Sequence, residues 1–347
     1  MRTMSRRAIL ALIPVLACMT VAGADPASPP MPESLPPLEQ ITAENAGRLR
    51  LVRTLEIADY RRGAISQCSL AFGPGGKLLV AACGESRVPI WDVQSGVLTR
   101  PLYENPEHIV ACAFSPDGQS VASGGFDREI ALWDVETGER LRTVGALDSP
   151  VWELAFSPDG QELVSCSLSG DIRLWDQGQR DEKWSYRGVQ GYLSVAFSPS
   201  GGTIGYGSRW DGAGLLDART GELVCKLRGP RSPVGDVAFS PDGGLLAAGA
   251  DDNAIYLWDT SSHELKATLQ GHRGYVNGVA FSPDGALLVS GSHDRSIGIW
   301  DVAGQQLLVA LQGHEDVVLR VAFSPDGKLI ASTSWDGTVR LWGVPES

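Results

Sequence analysis

The sequence lacks any stripe of basic residues. Its 347 residues contain 29 lysines and arginines against 41 aspartates and glutamates, and the basic residues are scattered along the chain. A protein that follows a nucleic-acid backbone needs clustered positive charge, because the phosphates dominate the binding free energy. We therefore expect no nucleic-acid partner. The 43% apolar content and the 41 glycines fit neither a disordered chain nor a membrane barrel.

Side chains and motifs typical of catalysis, metal binding or phosphate binding are also few. The chain has five histidines and six cysteines, with no CxxC pair, no phosphate-binding glycine loop and no paired catalytic carboxylates. We expect no metal and no cofactor. Beyond the first 24 residues the cysteines are Cys68, Cys83, Cys112, Cys166 and Cys225. Their number is odd and each lies in an apolar run, so we expect buried thiols; a bridge between Cys68 and Cys83, on neighbouring strands of one predicted hairpin, is compatible with the pattern but not favoured.

No apolar run is long enough to cross a bilayer comfortably, but the first 24 residues have the pattern of an export signal. Arg2, Arg6 and Arg7 precede an apolar run over 8–21, and small residues follow at 22–24. Residues 5–10 resemble a twin-arginine motif, and residues 15–18, ending at Cys18, resemble a bacterial lipobox. We expect an exported protein, periplasmic or extracellular. Two outcomes stay open: a soluble protein, or a lipoprotein whose lipid anchor is its only membrane contact.

Residues 25–47 are expected to form a linker. Six prolines occur in residues 25–38, which favours an extended segment that does not pack. Thr42 is placed to cap one short helical turn before residue 47.

Beyond residue 60 the sequence repeats. Phenylalanine recurs at 72, 114, 156, 197, 239, 281 and 323, and five of these seven residues begin the string FSPDG. In each unit of about 42 residues an apolar strand leads into a Ser-Pro-Asp-Gly turn, in which proline fixes φ and glycine supplies positive φ. Two further strands and a more polar fourth segment follow. Four strands per unit predict a β-propeller blade.

The repeat resembles the WD40 family. The resemblance rests on Trp-Asp pairs at 91–92, 133–134, 175–176, 258–259 and 300–301 and on Gly-His pairs at 271–272 and 313–314. It covers about 48–347 and implies an all-β, seven-bladed propeller of the bacterial, exported type, each blade a four-stranded antiparallel sheet. The main departures are Leu216-Asp217 and Trp342-Gly343 in place of the dipeptide, and altered turns at 72–76 and 197–201.

The last repeat ends at its third strand, so the ring must be closed by another segment. Residues 48–57 have the character of a fourth strand, and an open propeller would expose sheet edges. We expect 48–57 to form the outer strand of the seventh blade.

A serine, a histidine and an aspartate recur at fixed offsets, together with tryptophan. The sixth repeat carries His272, Ser290, Asp294 and Trp300, and the seventh carries His314, Ser332, Asp336 and Trp342. A catalytic triad is needed once, whereas a structural network recurs. In the WD40 family these residues form a hydrogen-bonded tetrad, and the resemblance implies the same structural role here. No catalytic residue is expected, and blades that lack a member, such as the fifth with Ala248, should be less tightly linked.

The resemblance also places two positions of each repeat on the top face of the propeller: the residue before the tetrad aspartate and the residue four before the phenylalanine. Large apolar side chains at or near these positions are Phe126, Trp152, Leu168, Leu193, Trp210, Tyr275, Leu319 and Trp335. Exposed aromatic residues at a ring entrance suit protein binding. We expect a monomeric, non-enzymatic scaffold for one or more partner proteins; the alternative is an extracytoplasmic propeller that binds a glycan or peptide, or hydrolyses one.

Overall fold

The computed structural model describes residues 34–57, 67–84, 87–99, 101–103, 108–178, 181–188, 191 and 193–346. The predicted export signal and the first part of the predicted linker lie outside this range. The described residues contain no helix with the length and hydropathy that a membrane span requires.

Seven antiparallel sheets follow one another along the chain and are arranged as the blades of a propeller, as predicted. Five of them, blades two to six, are regular four-stranded sheets in which the first strand is innermost. Blade two consists of Ile109–Phe114, Ser120–Gly125, Glu129–Asp134 and Arg140–Ala146. Blade three consists of Val151–Phe156, Glu162–Ser167, Ile172–Asp176 and Glu182–Tyr186. Blade four consists of Leu193–Phe197, Thr203–Ser208, Gly212–Asp217 and Leu223–Leu227. Blade five consists of Val234–Phe239, Leu245–Ala250, Ala254–Asp259 and Leu265–Gln270. Blade six consists of Val276–Phe281, Leu287–Ser292, Ile297–Asp301 and Gln306–Leu311.

The core is divided among the blade junctions. Seven clusters of buried apolar residues each join two neighbouring blades, including one between blades seven and one. Each inner strand also contacts the inner strand of the next blade, and the last contacts the first. Trp184, on the fourth strand of blade three, packs into such a junction and donates its indole N–H to the Ala218 carbonyl of blade four at 2.9 Å.

The Ser-Pro-Asp-Gly turns have the chemistry that the sequence predicts. In blade six the Ser282 hydroxyl donates to Asp284 at 2.6 Å and accepts the N–H of Leu287 at 2.9 Å. Gly285 has φ +72°, a conformation that favours glycine. The same hydroxyl-to-carboxylate bond recurs in four further blades, so the turn places the first two strands in the same way each time.

The ring is closed by the N-terminal strand, which confirms the prediction. Blade seven consists of Val318–Phe323, Leu329–Ser334 and Thr338–Pro345, and its outer strand is Arg50–Glu56. A short strand, Leu38–Glu39, pairs with the end of the third strand at Val344 and Pro345.

The prediction that the linker does not pack is wrong from Leu35 onward. Leu35 and Leu38 are buried in the junction between blades seven and one, and Ile41 is buried between blades six and seven. The Leu35 N–H donates to the Gln94 carbonyl of blade one at 3.0 Å. The expected helical turn is a 3₁₀ turn over Ala46–Arg48, but its N-cap is Asn45 and not Thr42. The Thr42 hydroxyl accepts the Asn45 N–H at 3.4 Å in the turn that precedes it. The apolar residues between the prolines explain why this segment packs.

Blade one is the irregular blade. Its strands Ser69–Phe72, Leu78–Ala82 and Ile90–Asp92 form one sheet, while Arg87–Val88 pairs separately with Leu102–Tyr103. Pro89 lies where the third strand divides, and proline has no N–H to donate to a sheet.

Cys68 and Cys83 form a disulfide between the first two strands of blade one, with Cα atoms 4.2 Å apart. Our expectation of free thiols is therefore wrong for this pair. The flanking residues Ser69 and Ala82 are directly paired, so the strand register brings the two thiols together.

Candidate functional site

The tetrads of blades six and seven are complete. His272 lies 2.9 Å from Asp294 through Nδ1 and 2.7 Å from the Ser290 hydroxyl through Nε2, and the Trp300 indole N–H donates to the same hydroxyl at 2.7 Å. In blade seven His314 lies 2.7 Å from both Asp336 and Ser332, and Trp342 donates to Ser332 at 2.9 Å. Both serines are fully buried.

The tetrad aspartates are held in their ionised form. Burial raises the pKa of Asp294, but hydrogen bonds from His272, Ser296 and the Arg273 N–H outweigh burial and leave the pKa well below its usual range. Burial also raises the pKa of Asp336, and hydrogen bonds from His314 and Thr338 outweigh burial and lower this pKa in the same way. Burial lowers the pKa of His314. A buried carboxylate that accepts several hydrogen bonds links its loop firmly to the strands.

Other blades use part of the network or a substitute. In blades two and three the indoles of Trp133 and Trp175 donate to Ser123 and Ser165, each at 2.8 Å. Blade five lacks the serine and the histidine, yet the Tyr256 hydroxyl donates to Asp252 at 2.8 Å, and the ring stacks on Trp258 with centroids 5.9 Å apart. Our expectation of a less tightly linked fifth blade did not consider this tyrosine.

A bulge in the inner strand shapes the top of the ring. In blades two, three, five, six and seven the strand register shifts at the residue four before the phenylalanine. A bulge changes the direction of the side chains beside it. The bulged residues include Trp152, Asn277 and Leu319, which line a cavity at the entrance of the central channel.

We call this cavity, of about 270 Å³, the mouth cavity. Four of the predicted top-face residues line it: Trp152, Tyr275, Leu319 and Trp335. Trp152 and Leu319 are only 7% and 4% exposed, so the expectation that they are exposed is wrong; Tyr275 is 47% exposed. They are buried because their bulged strands lie at the inner edge of two blade junctions.

The other predicted residues lie outside the mouth cavity. Trp210 is 68% exposed, with the Arg209 guanidinium carbon 5.2 Å from its ring centre. Phe126 contacts the His108 ring edge-on at 6.1 Å, and Leu168 is half-buried against the junction of blades three and four. Leu193 begins an inner strand, and its side chain lies outside the described part of the chain.

The polar residues of the mouth cavity were missed as site residues. They are Gln67, Arg209, Asp251, Asn277, His293 and Arg320. Asp251 and His293 hold the same position as Trp335, since each donates its backbone N–H to the segment before its own inner strand, at 2.8–3.0 Å. The repeat register could have found them, because it places them before the tetrad aspartates.

Arg320, which lines the mouth cavity, belongs to a group of three charged residues that we call the channel cluster: Glu153, Asp236 and Arg320. Each lies three residues before the phenylalanine of its blade, and their side chains are 13%, 12% and 8% exposed. Arg320 pairs with Glu153, lies 3.5 Å from Asp236 and donates to the Asn277 carbonyl at 2.9 Å. One guanidinium therefore links blade seven with blades three and five. Among the described residues, no three His, Cys, Asp or Glu side chains are grouped to hold a metal ion.

The channel cluster is electrostatically unlike the tetrads. Burial raises the pKa of Glu153 to about 7, against the lowering effect of Arg320, and the nearby Asp236 raises it further. Ser194 and the Val279 N–H donate to Asp236 at 2.7 and 3.0 Å. Two carboxylates share one guanidinium, so the cluster has a net negative charge when both carboxylates are ionised.

Comparison with known families accounts for most of the repeats. The family model described as WD40: WD domain, G-beta repeat matches residues 99–134, 138–176, 221–259, 263–301 and 305–343, more than half of the chain. The unmatched repeats are blades one and four, which carry the altered turns at 72–76 and 197–201. Comparison with curated proteins gives no significant match. WD40 propellers are generally non-catalytic scaffolds that mediate protein–protein interactions. With five matched repeats and a closed seven-bladed ring, the chain belongs to the WD40 family.

Proposed function

We propose that this chain is a non-catalytic interaction platform that binds a partner protein at the mouth cavity. The observation that carries the proposal is the cavity itself, where Trp152, Tyr275 and Trp335 from blades three, six and seven lie around one opening. Other repeats carry different residue types at the positions of Trp152 and Trp335, such as Gly235 and Asp251 in blade five, so the fold does not require aromatic residues there. A rigid ring presents them at little entropic cost on binding.

The serine, histidine and aspartate groups support a structural role. Ser290 and Ser332 are fully buried, and each lies between a histidine and a tryptophan. A nucleophile must reach its substrate, and neither hydroxyl is accessible to one. The same arrangement in two blades also favours architecture over catalysis.

Export of the chain is part of the proposal. It rests on the sequence of residues 1–24, and the Cys68–Cys83 disulfide supports it, since structural disulfides persist mainly in oxidising compartments. Lipidation at Cys18 would give a membrane-anchored form, which mass spectrometry of the purified protein would reveal.

The test is crosslinking capture from the native cell envelope, comparing wild type with Tyr275→Ala/Trp335→Ala. We expect the wild type to retain a discrete set of proteins that the variant loses. The matched control is Leu141→Ala/Val224→Ala, which removes exposed apolar side chains from outer strands and should capture the same set as wild type.

Two results would contradict the proposal. Equal capture by wild type and Tyr275→Ala/Trp335→Ala would move the interaction away from the mouth cavity. Retention of a glycan on an array, or hydrolysis abolished by Ser290→Ala alone, would support the alternative of a ligand-binding or hydrolytic propeller.

A further inference from the structure

The Asp251 carboxylate is set apart from the other aspartates of the top loops. It lines the mouth cavity and is half-buried. Its neighbour Asp252 accepts the Tyr256 hydroxyl, and Asp294 and Asp336 accept their histidines. Among the described residues, no hydrogen-bond donor reaches the Asp251 side chain, although its backbone N–H is bound to Pro233. Burial raises the pKa of Asp251, against the lowering effect of Arg209.

Aromatic rings lie beside this carboxylate. The His293 ring lies 5.0 Å from the Tyr275 ring and 5.6 Å from the Trp335 ring, and the three form one continuous wall. Trp152 lines the same cavity from blade three. The faces of such rings attract cations, most strongly where water is excluded.

The charges at the base of the cavity also favour a cation. The charged residues that line the cavity are Asp251, Arg209 and Arg320. The Arg320 guanidinium is paired with Glu153 and faces Asp236, and the Arg209 guanidinium lies over the Trp210 ring. The positive charge of Arg320 is therefore offset within the protein, and the half-buried Asp251 carboxylate is left to meet the charge of an occupant.

The size of the cavity limits the occupant. Its volume of about 270 Å³ is at the lower end of the range for ligand pockets, which begins at roughly 300 Å³. One or two side chains from a protein segment fit this space better than a folded domain or an extended glycan.

We infer that the mouth cavity receives a basic side chain, lysine or arginine, of the partner protein, with Asp251 as its counter-ion and the aromatic wall against its alkyl or guanidinium part. This inference rests on the proposed function and adds the chemistry of the partner. Asp251 is a specificity residue in this arrangement, because it selects the charge of the segment that the aromatic residues bind.

The experiment is selection of linear heptapeptides from a displayed random library on the immobilised full chain. Wild type is compared with Asp251→Asn, which keeps the shape and removes the charge. The matched control is Asp181→Asn, because Asp181 is an exposed carboxylate between the last two strands of blade three, remote from the cavity. Both variants remove one negative charge, so a general electrostatic effect would appear in both.

We expect wild type and Asp181→Asn to enrich peptides with a lysine or arginine at one fixed position. Asp251→Asn should lose this preference and bind the wild-type peptides on the order of tenfold more weakly, since a charge-assisted hydrogen bond is removed. Enrichment of peptides without a basic residue, an unchanged basic preference in Asp251→Asn, or no enrichment at all would overturn the inference.

These results are separable from failure of the proposed function. If envelope proteins are lost by Tyr275→Ala/Trp335→Ala but retained by Asp251→Asn, the mouth cavity binds a protein and the inference about its charge is wrong. If no variant changes what is captured, the proposed function itself fails.

Discussion

The tetrad of blade six and the channel cluster are both buried polar groups, but they differ in repetition and in charge balance. In the tetrad, His272 contacts both Asp294 and Ser290, and the same set recurs in blade seven. The channel cluster occurs once, joins three blades and gives one arginine two carboxylates. A group that recurs in each blade is explained by the architecture, whereas a group that breaks the repeat requires another reason.

The tetrad and the channel cluster also stabilise different parts of the ring. A tetrad fixes one loop to the strands of its own blade. The channel cluster links blades three, five and seven and includes Arg320 of the cavity lining, so it holds the blades that carry Trp152 and Trp335 in a fixed relation. Changes to the tetrad should alter local stability, and changes to the cluster should alter the arrangement of these blades around the mouth cavity.

The largest effect is expected from Arg320→Met. This change leaves Glu153 and Asp236 buried without their cation, and removal of one partner of a buried ion pair costs about 3–5 kcal/mol. Denaturant unfolding measures the loss. Arg273→Met is the control, because Arg273 is exposed and its side chain should contribute little. Equal stability of the two variants would contradict the role of the channel cluster.

A smaller loss is expected from His272→Ala. The change removes one hydrogen-bond partner from Ser290 and one from Asp294, although Trp300 and Ser296 remain. Loss of a partner at buried polar groups costs about 2 kcal/mol. The unfolding free energy again measures it. The control is His263→Asn. His263 lies in a turn at φ +61°, a conformation that asparagine tolerates, so the unfolding free energy of this variant should be close to that of wild type. A loss as small as that of the control would show that the tetrad contributes nothing.

Tyr256→Phe should have a smaller effect still. It removes only the hydroxyl that donates to Asp252, and a single hydrogen bond contributes about 1 kcal/mol. The control Tyr275→Phe removes a hydroxyl from an exposed ring and should leave the thermal midpoint unchanged. If Tyr256→Phe also matches wild type, blade five has no substitute for the tetrad.

The last effect concerns Glu153 and appears only as a difference in pH dependence. Because the pKa of Glu153 is raised on folding from 4.5 to about 7, the folded state holds this proton more tightly than the unfolded state. The contribution of Glu153 to stability is therefore most favourable below pH 4.5 and declines as pH rises to about 7, by about 1 kcal/mol per pH unit. Unfolding free energies measured between pH 5 and pH 7 should decline less in Glu153→Gln than in wild type; identical slopes would contradict the raised pKa.

The sequence predicts most of the fold, because each 42-residue unit contains its own turn and strand signals. The phenylalanine positions locate the inner strands, and the missing fourth strand of the last repeat identifies Arg50–Glu56 as the segment that closes the ring. The division of blade one at Pro89 was also readable from proline chemistry. Packing of Leu35 and Leu38 was not, because the prolines around them indicate only an extended backbone.

The site was predicted less completely than the fold. Aromatic residues at top-face positions pointed to Tyr275 and Trp335, but the bulges that bury Trp152 depend on strand register, which a single sequence does not show. Asp251 holds the top-face position before the tetrad aspartate Asp252, but it was overlooked because the site residues were chosen as large apolar side chains. The channel cluster could be found only by comparing, across the seven repeats, the residue three before the phenylalanine. This residue is small in four repeats and charged in blades three, five and seven.

The most direct test of the central claim, that repeated residues support the ring and departures from the repeat bind the partner, measures two quantities on the same variants. Partner capture from the cell envelope and the thermal midpoint are determined for wild type, His272→Ala and Tyr275→Ala/Trp335→Ala. We predict that His272→Ala lowers the midpoint but captures the wild-type set at temperatures where it is folded, while the mouth variant stays folded and captures none of that set. Loss of capture in folded His272→Ala, with full capture by the mouth variant, would contradict the account.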